Sequence, residues 1–438
     1  MLIHRECLPP LRGRSLTSRI GTGIIGLART SQSGAKESFS YYRKSGLDER
    51  RLIMVSLFTG ISGAVLWYIL STYWDKIGFT SVEIGYMFAA GSASSAITLM
   101  GSGFLADKFG RKNLLLVGLV MEAFGILMFT MEKDFVLFMA ASVVVNASFS
   151  ITNPSLIALL STKARASNLK FLYGMQSFSN QIGLTTGTLA GFMAPGVLGS
   201  VLGIDTVTGY RWIYVVAAIL GIIPVILTLR VAEVPLKPER LLLKFDRPML
   251  KILAMFSLQN AFIGFGAALV MPWIAIVFSD GMGATETDLA LMFTLSNIVL
   301  AVGFFIIPMF ERARGAVRLV AICQLASLGF LVLIPYSSTL LIAALLYAMR
   351  SLLMLVPTPI LNAYLMNIVN ERIRASFYAI SSLVWTLAFM ASEAVSGYVW
   401  NDDYTQTEPF LYCGVFYVVG TLIFYMYFRN IAEPRDAA

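Results

Sequence analysis

The sequence contains few charged residues and only one histidine, and both shortages exclude whole classes of protein. Charged residues make up 13% of the 438 residues, about half the share that soluble domains carry. Hydrophobic residues make up 57% and extend along nearly the whole chain, so we expect the lipid bilayer to surround most of it. The single histidine, His4, lies outside every apolar stretch. This position excludes most histidine-based catalysis and proton relay inside a membrane.

The chain also lacks the motifs that bind metals or nucleotides. Its three cysteines, Cys7, Cys323 and Cys413, show no CxxC spacing and so indicate neither a disulfide framework nor a metal site. No phosphate-binding loop of the Walker type is present, which leaves direct use of ATP unsupported. A membrane-embedded enzyme would need clustered His, Asp or Cys at membrane depth. We therefore expect no metal, no cofactor and no enzymatic activity.

Twelve apolar stretches are long enough to cross a membrane, since about 20 apolar residues span about 30 Å of hydrocarbon. They are predicted to be helices because lipid offers no hydrogen-bond partner to an open backbone. The predicted fold class is therefore an all-α membrane protein with 12 transmembrane helices. The predicted spans are residues 52–74, 82–105, 113–131, 135–160, 169–194, 210–229, 249–278, 287–309, 317–336, 339–362, 376–400 and 410–428.

Lysine and arginine are concentrated on one side of the predicted bundle. The two termini and the even-numbered loops hold 29 of the 33 basic residues, and the odd-numbered loops hold only Lys76, Lys133 and Arg211. By the positive-inside rule, both termini and all even-numbered loops face the cytoplasm. The net charge of +8 therefore reflects topology and not the binding of nucleic acid.

A polar segment divides the predicted helices six and six. It contains the run Val-Pro-Leu-Lys-Pro-Glu-Arg, and a weak internal echo, Arg-Ala-Ser, follows both the fourth and the tenth span. Two six-helix pseudo-repeats of this kind form transporters around a site at the membrane midplane. We expect a disordered cytoplasmic tail over residues 1–50, a six-helix half over 51–229, a cytoplasmic linker over 230–248, a second half over 249–429 and a tail over 430–438.

The N-terminal residues 1–46 are rich in Arg and Ser and poor in acids. That composition is typical of a mitochondrial-type transit peptide. A disordered cytoplasmic tail and a start codon assigned too far upstream fit it as well. The sequence leaves these three interpretations open.

The loop between the second and third spans carries the most specific motif. It reads Gly103-Phe-Leu-Ala-Asp107-Lys-Phe-Gly110-Arg111-Lys112. Glycine permits close helix approach and tight reversal, an aspartate caps a helix or pairs with a cation, and the two bases anchor the loop on the inner face. The string resembles the signature loop of the major facilitator superfamily. The resemblance implies two six-helix halves and a gating loop, in which Asp107 binds the opposite half in the outward-open state and releases it during the transition.

Two further stretches resemble this superfamily less closely. The run from Pro308 to Arg318 keeps an acid, bases and one glycine, but its spacing is off by one. The fifth span carries Gly183, Gly187 and Gly191, which resemble the glycine pattern of the superfamily's antiporters, although Thr188 stands where those antiporters have proline. Small residues four apart also let helices pack closely in lipid.

Three charged residues lie deep inside predicted spans, away from the span ends, and such residues are candidates for function. Arg350 is near mid-membrane in the tenth span, and its guanidinium can bind a carboxylate or phosphate with two hydrogen bonds. An internal ion pair is the alternative. Glu122 and Glu393 are candidates for proton coupling because desolvation favours the protonated acid. For Glu122 a structural role is the alternative, since third helices of the superfamily are peripheral.

Neutral polar residues complete a predicted substrate site with Arg350. They are Asn146 in the fourth span, Gln176 and Asn180 in the fifth, and Gln259 and Asn260 in the seventh. Each of them can equally serve as a hydrogen-bonding contact between helices.

These expectations describe a secondary active transporter that moves small solutes by alternating access. We expect proton coupling and a cargo that is an organic anion or an amphipathic, drug-like compound. An uptake symporter for a sugar or phosphorylated metabolite is the alternative, as is a non-transporting sensor with the same fold. The expected partners are the solute, H⁺ and the lipid bilayer, with no nucleic acid. We expect a monomer in the plasma membrane.

Overall fold

The chain folds into long helices joined by short loops. The computed structural model describes residues 46–163, 169–232, 246–306, 315–370 and 373–431, and within these ranges there is no strand. The expectation of an all-helical protein is therefore confirmed for this part of the chain. We number the helical elements α1 to α12. They are α1 (Leu47–Ile77), α2 (Ser81–Phe109), α3 (Arg111–Met128), α4 (Phe135–Ser161), α5 (Leu169–Leu202), α6 (Thr206–Leu229), α7 (Arg247–Gly281), α8 (Glu286–Ile306), α9 (Ala316–Tyr336), α10 (Leu340–Leu355, continuing as Thr358–Ile368), α11 (Arg374–Trp400) and α12 (Glu408–Phe428).

Nine helices within the described ranges are long and apolar enough to cross a membrane. They are α1, α4, α5, α6, α7, α9, α10, α11 and α12. The other three predicted spans coincide with α2, α3 and α8. The protein is thus a multi-pass membrane protein, and the number of twelve spans stays a prediction.

Pro154 in the fourth predicted span, and Pro357 and Pro359 in the tenth, predict an interruption of two helices, and the structure shows a different effect in each. Helix α4 continues through Pro154, whereas α10 ends at Leu355 and resumes at Thr358, on either side of Pro357. A proline inside a helix removes one backbone hydrogen bond and kinks or breaks the helix. The prediction of an interrupted helix is therefore wrong for α4, where the helix stays continuous, and confirmed for α10.

The helices pack mainly with others from the same half of the sequence. Helix α1 lies against α5, and α4 lies between α2 and α3. In the second half, α7 packs against α11 and α12, and α9 packs against α10 and α12. The halves are connected mainly by two pairs, α2 with α11 and α5 with α8, and by a smaller contact between α1 and α7. The predicted linker over 230–248 lies mostly outside the described residues, as does most of the predicted N-terminal tail.

Candidate functional site

Helices α1 and α5 approach each other through glycines of α5. A Cβ built at Gly183 would lie 2.1 Å from the Leu57 carbonyl oxygen, and one at Gly187 would lie 2.8 Å from the Ile61 carbonyl oxygen. Thr188 between them is fully buried, and its hydroxyl donates to the Leu184 carbonyl oxygen at 2.7 Å. The glycine pattern of the fifth span thus serves helix packing in this structure.

The loop with the signature motif forms a tight turn between α2 and α3. Gly110 has φ +83°, a left-handed conformation that glycine adopts without strain. Arg111 donates from Nη1 to the Ala158 carbonyl oxygen at 3.3 Å, and Lys112 donates from Nζ to the Leu229 carbonyl oxygen at 2.9 Å. These two contacts attach the turn to α4 and α6. The contacts of Gly103 and the side chain of Asp107 lie outside the described part of the structure. So do residues 307–314 of the second-half copy.

Helices α1, α3, α4 and α5 enclose a small polar cavity of about 70 Å³. It brings together three residues that the sequence singles out on the third and fifth spans: Glu122, Gln176 and Asn180. Two neighbours with hydroxyl groups, Thr59 and Thr152, join them. We call this site the α3–α5 pocket. Its lining residues are Thr59, Glu122, Phe149, Thr152, Asn153, Leu156, Gln176 and Asn180.

Glu122 lies at the buried side of this pocket. Its side chain is only 4% exposed, and its Oε2 atom has no hydrogen-bond partner among the described residues. The carboxyl lies beside the Ser62 hydroxyl of α1. Removing a carboxylate from water without a cation partner is costly, so this acid needs either a proton or a cationic ligand.

Asn146 lies outside this pocket although it is on the same helix as Asn153. Its Nδ2 atom donates to the Ser142 carbonyl oxygen at 3.0 Å. A Cβ built at Gly91 would lie 2.4 Å from the Asn146 Nδ2 atom, so the side chain occupies space that this glycine of α2 leaves free. Asn146 is placed at the contact between α2 and α4.

Arg350 is buried in the second half of the bundle. The side chain is 5% exposed, and Nη2 donates to the Tyr417 hydroxyl of α12 at 2.7 Å. The guanidinium carbon lies 6.0 Å from the centre of the same ring, and Nε has no hydrogen-bond partner among the described residues. The buried groups beside it are Tyr347 and Cys413. An anion is therefore the partner that this guanidinium still needs.

The two polar residues predicted on α7 differ in their exposure. Gln259 is 2% exposed, and its Oε1 atom has no partner among the described residues. Its backbone faces α12, where a Cβ built at Gly420 would lie 3.2 Å from the Gln259 carbonyl oxygen. Asn260 is half-buried. Neither lines the α3–α5 pocket.

Glu393 lies at the contact between α11 and α2, and so between the two halves. It is 4% exposed, lies beside the Ser92 hydroxyl of α2, and its Oε2 atom has no partner among the described residues. The helices are close here: a Cβ built at Gly85 would lie 2.8 Å from the Glu393 carbonyl oxygen. Separation of α2 from α11 would therefore change the surroundings of this carboxyl directly.

The two halves meet at the end of the bundle that the charge census predicts to be extracellular. The Ser81 amide donates to the Asp402 carboxylate at 2.6 Å, and the Ser81 hydroxyl donates to the Gly397 carbonyl oxygen at 2.9 Å. An ion pair of 3.0 Å joins Lys76 to Asp280. We call these contacts the outer closure. Asp402 has φ +58°, a conformation that aspartate tolerates better than most residues.

The sequence profile of the Major Facilitator Superfamily matches residues 52–260. Over this range, just under half of its length, the chain is similar to the major facilitator superfamily. The match covers the first half of the helices and includes the signature loop and the α3–α5 pocket. The similarity is thus to membrane transporters of that superfamily, in agreement with the resemblance carried by the loop motif.

Relatives of this chain include proteins named for drug resistance. It is 23% identical over 399 residues to Multidrug resistance protein 2 of Bacillus subtilis (strain 168), across 86% of this chain and 95% of that protein. It is 28% identical over 139 residues to Quinolone resistance protein NorA of Staphylococcus aureus (strain MRSA252), across 32% of this chain and 35% of NorA.

Solved structures of other transporters share its fold. The nucleoside transporter NupG matches with a TM-score of 0.71 at 13% identity, covering 86% of this chain and 98% of NupG. A D-xylose-proton symporter matches with a TM-score of 0.68 at 13% identity, covering 86% of this chain and 96% of that protein. At this identity the matches establish the fold and not the cargo.

Proposed function

We propose that this protein is a secondary active transporter that exports an amphipathic, drug-like solute or an organic anion in exchange for protons. The observation that carries the proposal is the pair of buried, incompletely satisfied charged groups, Glu393 between the halves and Arg350 within the second half. Relatives named for multidrug and quinolone resistance support export. Twelve spans, cytoplasmic termini, a monomer in the plasma membrane and halves bounded at 51–229 and 249–429 belong to the same proposal.

The distribution of contacts between the halves supports alternating access as the proposed mechanism. The outer closure joins α1 to α7 and α2 to α11, so this state is closed at the predicted extracellular end. Opening requires the polar contacts of Ser81 and Lys76 to break, while the packing within each half is preserved. We propose that the cargo meets the protein from the cytoplasmic side in the state described here.

Glu393 is the proposed group for proton coupling, with Glu122 as the second. In the closed state Glu393 has only a hydroxyl beside it, and an unpaired carboxylate there would carry a large desolvation cost that protonation removes. When α2 separates from α11, water reaches the carboxyl and stabilises its ionised form. The protonation of Glu393 would thus change with the conformation of the halves.

Arg350 is the proposed group for binding an anionic part of the cargo, with Gln176, Asn180, Gln259 and Asn260 as neutral contacts. The pairing with Tyr417 uses one end of the guanidinium and leaves donors for a carboxylate or phosphate. The same feature favours the second candidate function, an uptake symporter for a phosphorylated metabolite or a sugar. The contacts of Asn146 with α2 make it a weaker member of the predicted set.

The proposed function is tested by proton movement in proteoliposomes that contain a pH-sensitive dye. Solutes that raise the thermal stability of the purified protein are selected first, because a ligand of the folded state stabilises it by mass action. Export by exchange predicts proton movement opposite to the solute, and symport predicts movement in the same direction. Solute movement without proton movement contradicts the coupling, and the absence of both indicates a non-transporting protein.

We expect Asp107→Ala to slow transport about tenfold while leaving the affinity for the cargo nearly intact. In the proposed role Asp107 stabilises the outward-open state, and a loss of about 1.4 kcal/mol in one state changes an equilibrium tenfold. Initial rates and half-saturation concentrations measured in the same vesicles separate the two effects. The matched control is Glu132→Ala, which removes an exposed acid from the predicted extracellular side. A pure loss of affinity would contradict the gating role.

A further inference from the structure

The α3–α5 pocket contains two buried polar atoms without partners among the described residues. They are Oε2 of Glu122 and Oγ1 of Thr152, and both side chains are at most 4% exposed. Because a buried polar atom without a partner costs about 1–3 kcal/mol, two of them at one cavity indicate that something fills it. The proposed transport function uses Glu122, Gln176 and Asn180 of its lining but does not say which chemical group of the cargo enters this cavity.

The charge of the pocket restricts which kind of ligand can fill it. Glu122 is the only charged residue among the lining residues of the cavity in the described part of the chain. The amide of Asn180 already donates from Nδ2 to the Ser56 carbonyl oxygen at 3.2 Å, which leaves its Oδ1 atom free to accept. A carboxylate and an amide oxygen at one cavity favour a ligand that carries positive charge and several N–H donors.

The size and the wall of the pocket restrict the ligand further. A cavity of about 70 Å³ holds a head group and not a whole drug-sized molecule. The ring of Phe149 forms part of the wall, and an aromatic face attracts a cation. On the other side, Asn153 is exposed and Gln176 is half-buried, so the remainder of a longer molecule can leave the pocket past these residues.

We propose that the α3–α5 pocket binds the protonated primary amine of the cargo. The Glu122 carboxylate accepts one or two N–H groups of the ammonium, and Asn180 Oδ1 and Thr152 Oγ1 accept others. The apolar part of the cargo then lies in the space between the halves. The inference rests on the proposed transport function and adds a substrate class to it, amphipathic amines. In this arrangement Glu122 binds the cargo, and Glu393 binds the coupling proton.

The test is binding of 2-phenylethylammonium and of its neutral counterpart, 2-phenylethanol, to the purified full-length protein in detergent. Titration calorimetry is expected to give binding of the ammonium at least about tenfold tighter than that of the alcohol, since hydrogen bonds to a charged group are worth about 1.5–3 kcal/mol. Glu122→Gln is expected to remove this preference and to weaken ammonium binding about ten- to hundredfold. Glu132→Gln removes an acid from the exposed turn after α3 and is expected to bind like the wild type.

Equal binding of the ammonium and the alcohol by the wild-type protein overturns the proposal, and so does an absence of binding of both. Unchanged ammonium binding by Glu122→Gln overturns the proposal as well. Glu122 would then bind a proton and not the cargo. The comparison of the ammonium with the alcohol uses the wild-type protein, so it remains valid even if the Glu122→Gln variant does not fold. If proteoliposomes still show solute-dependent proton movement with other compounds, only the amine pocket is wrong. If no solute moves, the transport function itself fails.

Discussion

Arg350→Ala is expected to lower transport of an anionic cargo about a hundredfold or more while leaving the protein folded. Truncating one partner of a buried, hydrogen-bonded charge pair typically costs about 2–5 kcal/mol of binding, and 2.7 kcal/mol corresponds to about a hundredfold. The fold is expected to tolerate the change because the guanidinium is buried with only the Tyr417 hydroxyl as a hydrogen-bond partner in the described part of the chain. Removing a buried charge that has no ionic partner also removes its desolvation cost. Uptake into vesicles and thermal unfolding of the same preparations measure the two effects.

Two further variants separate anion binding from helix packing at this position. Tyr417→Phe removes the bond to Arg350 but keeps the ring and the guanidinium, so transport is expected to stay within about threefold of the wild type, about 0.6 kcal/mol. Arg350→Lys keeps the charge and loses the two-pronged geometry, which predicts an intermediate rate. If Arg350→Ala transports normally, the anion site is wrong. If Tyr417→Phe is as impaired as Arg350→Ala, Arg350 serves the helix contact.

Gly183→Ala is expected to destabilise the protein by about 1–3 kcal/mol, the usual cost of overfilling a packed interior. The new Cβ would lie 2.1 Å from the Leu57 carbonyl oxygen and 3.0 Å from the Ile61 amide nitrogen. Both are backbone atoms, so no side-chain rotation relieves the clash and α1 must move away from α5. Thermal unfolding in detergent measures the loss of stability.

Gly174→Ala is the matched control on the same helix. Nothing lies within 4 Å of a Cβ built at Gly174, so this change is expected to leave stability unchanged or to raise it, since alanine favours a helix by about 1 kcal/mol over glycine. The two substitutions thus have opposite expected signs. Equal stability of both variants would contradict the close contact between α1 and α5.

The helical fold and the turn after α2 are predictable from sequence because their physical causes are local. Long apolar stretches become helices in lipid whatever their neighbours, and a glycine between Phe109 and Arg111 predicts the left-handed turn found at Gly110. The helix ends are less predictable. Helix α1 begins at Leu47, although the apolar stretch begins at residue 52, because Asp48 and Glu49 provide acids in the first turn.

The pocket is only partly predictable because it depends on which helices meet. Gln176 and Asn180 are one turn apart, so their common face is evident from sequence, and both line the cavity. Thr59 and Thr152 are missed because a threonine in an apolar helix carries no signal of its own. Asn146 has the same polar character as Asn153, but the space beside Gly91 places it against α2. Gly91 is the feature of the sequence that indicates the position of Asn146. It can be interpreted only once α2 is known to pack against α4.

Glu122 shows what the resemblance alone does not predict. The superfamily implies a peripheral third helix and therefore favours a structural role for an acid on it. In the structure the side chain reaches past α3 to a cavity shared with α1, α4 and α5. The length of a glutamate side chain and the small Ser62 beside it make this possible, and neither follows from the position of the helix.

We propose that the two halves alternate about the cargo site. The distance across the outer closure is the most direct measurement of this movement. Spin labels at Thr80 and Thr405 sit on exposed residues on either side of the contact between Ser81 and Asp402. The labels belong in a background without native cysteines that retains transport. Alternation of the two halves predicts one short distance between the labels without a gradient, and a second, longer distance when cargo and a pH gradient are present. A single short distance in vesicles that are actively transporting the cargo would contradict it.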